Sequence, residues 1–403
     1  MQKRGLVLLV LLLAPCVLAQ DFIQKGAIPD DASPAEIVAA LAKPAVVQIQ
    51  SHTKISAQVP DLKFENGKVT ETGPGSRTEF DRTGVGSGFI VTPDGYVVTN
   101  AHVLLPHQDD VMTPFLVNVF NKRGIPAELQ KQFGDYLGNI LQLQIVPGEP
   151  FVMLPVYGYT GLTQAALPAE VKKIGVAYPG KDVAVLKVSR KNLPTVSISK
   201  SEPPVGSNVL VIGYPLAAKI GLVPESTVTS GVLSAYKQSE TGWRMAQIDA
   251  AISSGSSGGP VFGKDGRVIG VATLSAGKAA GFNWLVPNDV VYEFLNELNV
   301  HPRRGVLDQV YERGVANYWN KRYERAIVDF HHSLELMPNH PMVPELLFNS
   351  RAALEEQAQM AYTWKVGMSV FGAVLLIIVI FLFIYTYKEK KEIAHLRRRL
   401  RRT

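Results

Sequence analysis

The chain has 403 residues, 46% of them apolar, a single cysteine and a formal net charge of +6. That size excludes a one-core miniprotein and leaves room for two soluble domains plus membrane elements, and one cysteine excludes a disulfide framework. The charge does not support a nucleic-acid footprint on the folded part, because residues 388–403 hold eight Lys/Arg and two Glu, which is already +6, so everything before them sums to zero.

Residues 1–19 join a charged start, Lys3-Arg4, to an apolar run from Leu6 to Leu13 and to small residues at Val17 and Ala19. This predicts a secretory signal peptide cut after Ala19. An uncleaved N-terminal anchor is the runner-up; a lipoprotein signal fits less well, since Pro15 precedes Cys16. Ser33, Pro34 and Glu36 form a capping box that opens a short helix. Ala45–Gln50 reads as the first strand, with Gln48 and Gln50 on the opposite face from Val47 and Ile49. Residues 60–83 are polar, carry Asn66-Gly67 and Pro74-Gly75 turn signals, and read as an exposed loop or long hairpin.

An alternating strand, Gly95–Thr99, ends just before His102. Between His102 and the next strand, residues 104–180 read as an insertion. Within it, apolar residues at 129, 133, 137, 140 and 141 predict an amphipathic helix over 125–141. Residues 150–162 are too apolar to stay in water and are expected to pack on the rest of the domain, a neighbouring subunit or another domain. Asp182 heads a strand running to Val188. Val209–Ile212, Ser226–Ala235, Met245–Asp249, Val268–Leu274 and Phe282–Val286 are strand-like, Gly263–Gly266 is a hairpin turn, and Asp289–Leu298 is a closing helix.

Ser257 lies in the glycine-bounded turn Gly255–Pro260. A serine hydroxyl needs a base to become a nucleophile, the base needs an orienting carboxylate, and the developing oxyanion needs backbone N–H groups. Singly, each residue has an ordinary reading: Ser257 in a flexible turn, His102 as a strand cap, Asp182 as a turn residue. The order His102, Asp182, Ser257, with all three at apolar strand boundaries, is that of the chymotrypsin-like proteases.

The stretches Gly86–Val103, Asp182–Val188, Gly206–Pro215 and Gln247–Pro260 resemble the HtrA/Deg family of trypsin-like serine proteases, over roughly Ala35 to Leu298. The resemblance implies a mostly β, double-barrel fold with His102, Asp182 and Ser257 between the barrels, and Gly255 and Ser257 N–H groups as oxyanion donors. It further implies a substrate pocket near Thr273, Leu274, Ser275, Phe282, Asn283 and Trp284. No acidic residue stands among these, which predicts a preference for small or medium apolar side chains before the scissile bond. The chemistry needs no metal or cofactor. Polypeptide substrates and a trimeric homo-oligomer are what the family implies. The chain departs from the family in three ways: Ser256 stands where Asn is usual, His102 and Asp182 are unusually far apart, and no PDZ-like sequence follows.

Residues 305–360 change character. Gly314, Tyr318, Tyr323, Ala326, Phe330, Leu334 and Pro338 have the offsets of one tetratricopeptide-like helical pair, followed by a third helix, Val343–Gln359. One repeat cannot bury its own face, so it must lean on the protease or on a protein partner; a plain helical linker is the alternative. Val366–Tyr387 is an uninterrupted apolar run, long enough to span a bilayer. The basic tail at 388–403 predicts a cytoplasmic end, with the protease on the extracytoplasmic side. The sequence thus reads as a membrane-anchored serine endopeptidase (domain 33–300) cleaving unfolded or exposed polypeptide. The alternative is a catalytically silent protease fold serving as a scaffold at the membrane.

Overall fold

The computed structural model describes residues 33–159, 161–215, 225–273 and 283–400; the predicted signal segment lies outside them. The first helix, α1 (Pro34–Ala42), starts as its sequence dictates. The Glu36 carboxylate accepts from the Ser33 N–H at 2.8 Å, and the Ser33 hydroxyl accepts from the Glu36 N–H at 3.3 Å.

Strands β1 (Val46–Glu65) and β2 (Lys68–Ile90) form one long antiparallel hairpin, the second of the two readings open for residues 60–83. Its turn is Asn66-Gly67, both with positive φ (51° and 74°), as a tight hairpin turn requires. The other signal, Pro74-Gly75, is not a turn. It sits inside β2, where the register slips between Val59 and Asp61, and Gly75 (φ 62°) lies too close to the Val59 carbonyl to admit a Cβ. Glycine here marks a bulge.

After β3 (Tyr96–Thr99) come one helical turn, α2 (Ala101–Leu104), and two longer helices, α3 (Gln108–Arg123) and α4 (Ala127–Ile140). Then follow β4 (Gln144–Pro147), β5 (Phe151–Gly158), β6 (Gly161–Ile174) and β7 (Ala184–Val188). Pairing runs β2-β3-β7-β6-β5-β1, and β1 returns to β2, so the ring closes into a barrel. The predicted insertion therefore divides in two. Its apolar part, residues 150–162, supplies barrel strands, with Val152, Leu154 and Val156 buried. Only α3, α4 and β4 are added to the barrel, and they cover the outer half of the hairpin. There Ile55 and Val59 pack with Val111, Phe115, Phe133 and Leu137. Helix α4 matches the helix predicted for 125–141, with Ile140 left exposed. Helix α3, with Pro114 inside it, has no counterpart in the sequence reading.

The second barrel closes in the order β10-β13-β12-β11-β8-β9. Its strands are β8 (Asn208–Gly213), β9 (Thr227–Gln238), β10 (Arg244–Ile248), β11 (Pro260–Phe262), β12 (Val268–Thr273) and β13 (Asn283–Pro287). Helix α5 (Asn288–Glu297) follows. One apolar cluster joins the barrels: Val46, Phe89 and Val185 of the first meet Ile212, Phe262 and Val286 of the second. Each such side chain contributes about 1.5–3 kcal/mol by leaving water, so the seam between the barrels is part of the core.

Helices α6 (Val306–Trp319) and α7 (Tyr323–Leu336) make the predicted antiparallel pair. Gly314 lets the Phe330 ring approach closely: a Cβ there would lie 2.7 Å from it. The pair leans on the first barrel. Leu307 and Met337 join the cluster of Val47, Ile49 and Leu154. The buried Asp308 accepts from the N–H and hydroxyl of Thr195 (2.8 and 2.6 Å), Tyr311 donates to the Ala40 carbonyl (2.9 Å), and Arg304 pairs with Glu312. Beyond it, α8 (Val343–Leu400) is one unbroken helix of 58 residues. The third helix and the apolar run, expected as separate elements, are parts of it.

Phe115 is fully buried in the added layer. Phe115→Ala is expected to destabilise that layer by about 3–5 kcal/mol, read as faster amide hydrogen exchange in α3. Unchanged exchange would show that the layer does not depend on this core.

Candidate active site

Three loops converge at the seam between the barrels. His102 lies on α2, whose position is fixed by the Ser51 hydroxyl donating to the Val103 carbonyl at 2.6 Å. Asp182 precedes β7 and is 1% exposed. Its carboxylate accepts from the His102 backbone N–H at 2.9 Å (Oδ1) and is 2.7 Å from the ring Nδ1 (Oδ2). With Nδ1–H donating to the carboxylate, Nε2 is left as the free acceptor. Asn100 ties the two segments again, its side-chain amide donating to the Asp182 carbonyl at 2.6 Å.

Ser257 comes from the second barrel, on the loop between β10 and β11. Gly255 and Gly258 have φ of 95° and 87°, the region that favours glycine. The loop is pressed against the first barrel: a Cβ on Gly86 would lie 2.6 Å from Val103 and 3.2 Å from the Ser257 carbonyl, and a Cβ on Gly258 3.1 Å from the Asn100 nitrogen. Ser257 thus sits beside the segment that carries His102. Its hydroxyl is buried and makes no hydrogen bond among the described residues. Catalytic contacts of this kind often tighten only around substrate. Neither the Gly255 nor the Ser257 N–H meets a backbone acceptor among the described residues. Ser256, where Asn is usual, has its hydroxyl 3.3 Å from that of Ser253.

The expected pocket residues divide. The Thr273 hydroxyl donates to Asp182 Oδ2 at 2.8 Å, making it a third donor to the buried carboxylate. Asn283 donates to the Ala250 carbonyl at 2.7 Å, and the Trp284 ring lies under the Lys237 ammonium. Leu274, Ser275 and Phe282 lie outside the described residues. Sequence reasoning missed Ser51, Asn100 and the role of Thr273, because each acts on a partner far along the chain. Ser87 lies inside the Gly86–Val103 stretch.

Burial alone would lower the pKa of His102. The Asp182 charge and its hydrogen bond outweigh that, with Asp110 adding and Arg82 opposing, and hold the imidazole above the ordinary value of 6.5. A neutral His beside a buried carboxylate can take a proton from a hydroxyl and stabilise the cation that results.

Residues 86–271 match the trypsin-like peptidase domain. Among curated relatives, the "Probable periplasmic serine endoprotease DegP-like" of Pseudomonas fluorescens is 28% identical over 280 residues, covering 64% of this chain and 47% of that protein. Its counterpart in Halomonas elongata is 30% identical over 312 residues, covering 72% and 53%. The chain thus spans about half the length of the curated relatives it matches. Among solved structures, the HtrA-type protease AlgW with decapeptide is 22% identical, covers 66% of this chain and 68% of its own, and has a TM-score of 0.42. A serine endoprotease from Yersinia pestis is 21% identical, with coverage of 67% and 68% and a TM-score of 0.40.

The His102 ring should titrate above pH 6.5 by NMR, and in Asp182→Asn the midpoint should fall below 6.5, because burial, the largest influence, is then opposed only by the more weakly acting Asp110. A midpoint at or below 6.5 in the unsubstituted protein would refute this account of the pair.

Proposed function

We propose that this chain, an HtrA-type member of the trypsin-like serine proteases, is a serine endopeptidase anchored in a membrane by its C-terminal helix. The observation that carries the reading is the buried Asp182 carboxylate, doubly bonded to His102 beside the Ser257 loop. In the reaction, Ser257 Oγ attacks the peptide carbonyl carbon while His102 Nε2 takes its proton. The Gly255 and Ser257 N–H groups hold the oxyanion. The C–N bond then breaks as His102 returns the proton to the leaving amine, and water, activated by the same histidine, releases the acyl group. Asp182 keeps the ring in the productive tautomer and offsets the imidazolium charge. A resting Ser257 hydroxyl without a bond to His102 favours one other reading, a silent protease-fold scaffold.

The substrate class is unfolded or exposed polypeptide, with small or medium apolar residues before the cleaved bond. Val343–His395 is long and apolar enough to cross a membrane, with exposed side chains such as Ile377 at 65%. Membrane anchoring through 366–387, a cytoplasmic basic tail and an extracytoplasmic protease fit this helix, the tail charge and the periplasmic naming of the relatives.

Two experiments test these statements. Full-length protein in detergent should react with a fluorophosphonate and cleave casein, and Ser257→Ala should abolish both, a loss on the order of a million-fold in turnover. Silence of the folded, membrane-embedded protein towards both reagents would favour the scaffold. With Cys16 replaced, a lone cysteine at Thr363 should react with an impermeant maleimide added outside, whereas one at His395 should not; the reverse pattern would overturn the orientation.

A further inference from the structure

We infer that Ser87 is a positioning residue for the nucleophile loop: its hydroxyl holds the Gly255 carbonyl away from the oxyanion site, so that the Gly255 and Ser257 N–H groups stay free for substrate. The inference rests on the serine endopeptidase reading above.

Ser87 lies on β2 of the first barrel and is 0% exposed. Four hydrogen bonds meet on this residue. Its N–H donates to the Ser257 carbonyl at 2.7 Å. Its hydroxyl donates to the Gly255 carbonyl at 2.7 Å and accepts from the Tyr214 N–H at 2.8 Å. Its own carbonyl accepts from the Thr99 hydroxyl at 2.7 Å. The side chain is closely surrounded: a Cβ on Gly213 would lie 3.0 Å from its hydroxyl and one on Gly259 3.3 Å from its Cβ.

The consequence follows from the alternation of peptide groups. The peptide linking Ser257 to Gly258 is fixed at both ends, by Ser87 N–H on its oxygen and by the Ala272 carbonyl on its nitrogen, at 2.8 Å. The peptide linking Gly255 to Ser256 is likewise fixed, by the Ser87 hydroxyl on its oxygen and by the Ser253 carbonyl on its nitrogen, at 2.9 Å. Between them, the Ser257 N–H is left without a backbone acceptor among the described residues. Without the Ser87 hydroxyl, the Gly255 carbonyl and the Tyr214 N–H lose a buried partner. A buried carbonyl without a donor seeks another, and glycine at 255 offers the lowest barrier to turning that peptide. Once turned, the carbonyl dipole would face the developing oxyanion and repel it. The His102–Asp182 pair lies in the first barrel and would be untouched.

The test compares Ser87→Ala with Thr99→Val in the full-length protein in detergent. Thr99→Val removes an equally buried hydroxyl from the same hub but no bond to a loop carbonyl. Ser87→Ala should lower kcat on a fluorogenic peptide, and the fluorophosphonate labelling rate, by about 10- to 100-fold, a part of the effect of losing an oxyanion donor. KM should stay within about 3-fold, and the acid limb of the pH profile should not move, since neither depends on the loop carbonyl. Thr99→Val should slow labelling less than about 3-fold at a similar loss of Tm. Should Ser87→Ala fail to fold, Ser87→Cys, with a weaker donor of similar shape, should give an intermediate rate. Labelling of either Ser87 variant at the unsubstituted rate, or an equal loss in Thr99→Val, would overturn the inference. An unsubstituted protein that does not label would instead overturn the serine endopeptidase reading.

Discussion

A carboxylate withdrawn from water must be met by donors, and at Asp182 this requirement organises the seam between the barrels. Two donors come from His102, and the third, Thr273, comes from the far end of β12 in the other barrel. An isolated buried charge would cost several kcal/mol, so neither barrel satisfies this group as well alone as the two do together. The carboxylate that fixes the imidazole is thus also a fastener between barrels, and the apolar seam around Phe89 and Phe262 keeps it dry. The same dryness strengthens its field on His102.

The added layer of α3 and α4 stands directly after His102 in the chain, yet it leaves the pair intact. Lengthening a connection raises the entropy of closing it only slowly, and here the inserted residues are repaid by a cluster of their own on the β1–β2 hairpin. Because α2 is anchored before the layer begins, by Ser51 and Asn100, the geometry of the ring does not pass through the extra helices. The charge of Asp110 nonetheless reaches the imidazole from α3, so the layer is electrically part of the site although its packing is separate.

Much of this was legible in the sequence where a local pattern decides a local structure. His102 and Asp182 each stand beside an apolar strand, β3 and β7, and the structure pairs them. The capping box at Ser33 and the Asn66-Gly67 turn were readable for the same reason. Pro74-Gly75 looked alike but lies in a bulge, because local residue preference carries no information about register. Strand β11 is three residues long and falls below any periodic signal, and Pro114 masked α3. Thr273 was legible as a residue near the site but not as a partner of Asp182, since that bond joins positions 91 apart. The double barrel itself was reached through resemblance; hydrophobic alternation alone gives strands without their order.

The docking of α6 bears on what counts as a module in this chain. Leu307 and Met337 complete a cluster whose other members come mainly from the strands of the first barrel, with Val103 and Leu104 of α2 and Leu193 of the linker, and Asp308 completes the hydrogen bonding of Thr195, in the linker that leads from one barrel to the next. The described residues up to Leu346 accordingly form one compact unit. A boundary drawn at residue 300, where the resemblance to the protease family stops, would cut through a hydrophobic core. During synthesis the linker waits for a partner that emerges about a hundred residues later, as the spacing of Thr195 and Asp308 requires. The helical pair and the first barrel therefore share one core, and a change on the facing surface of either falls on the packing of the other.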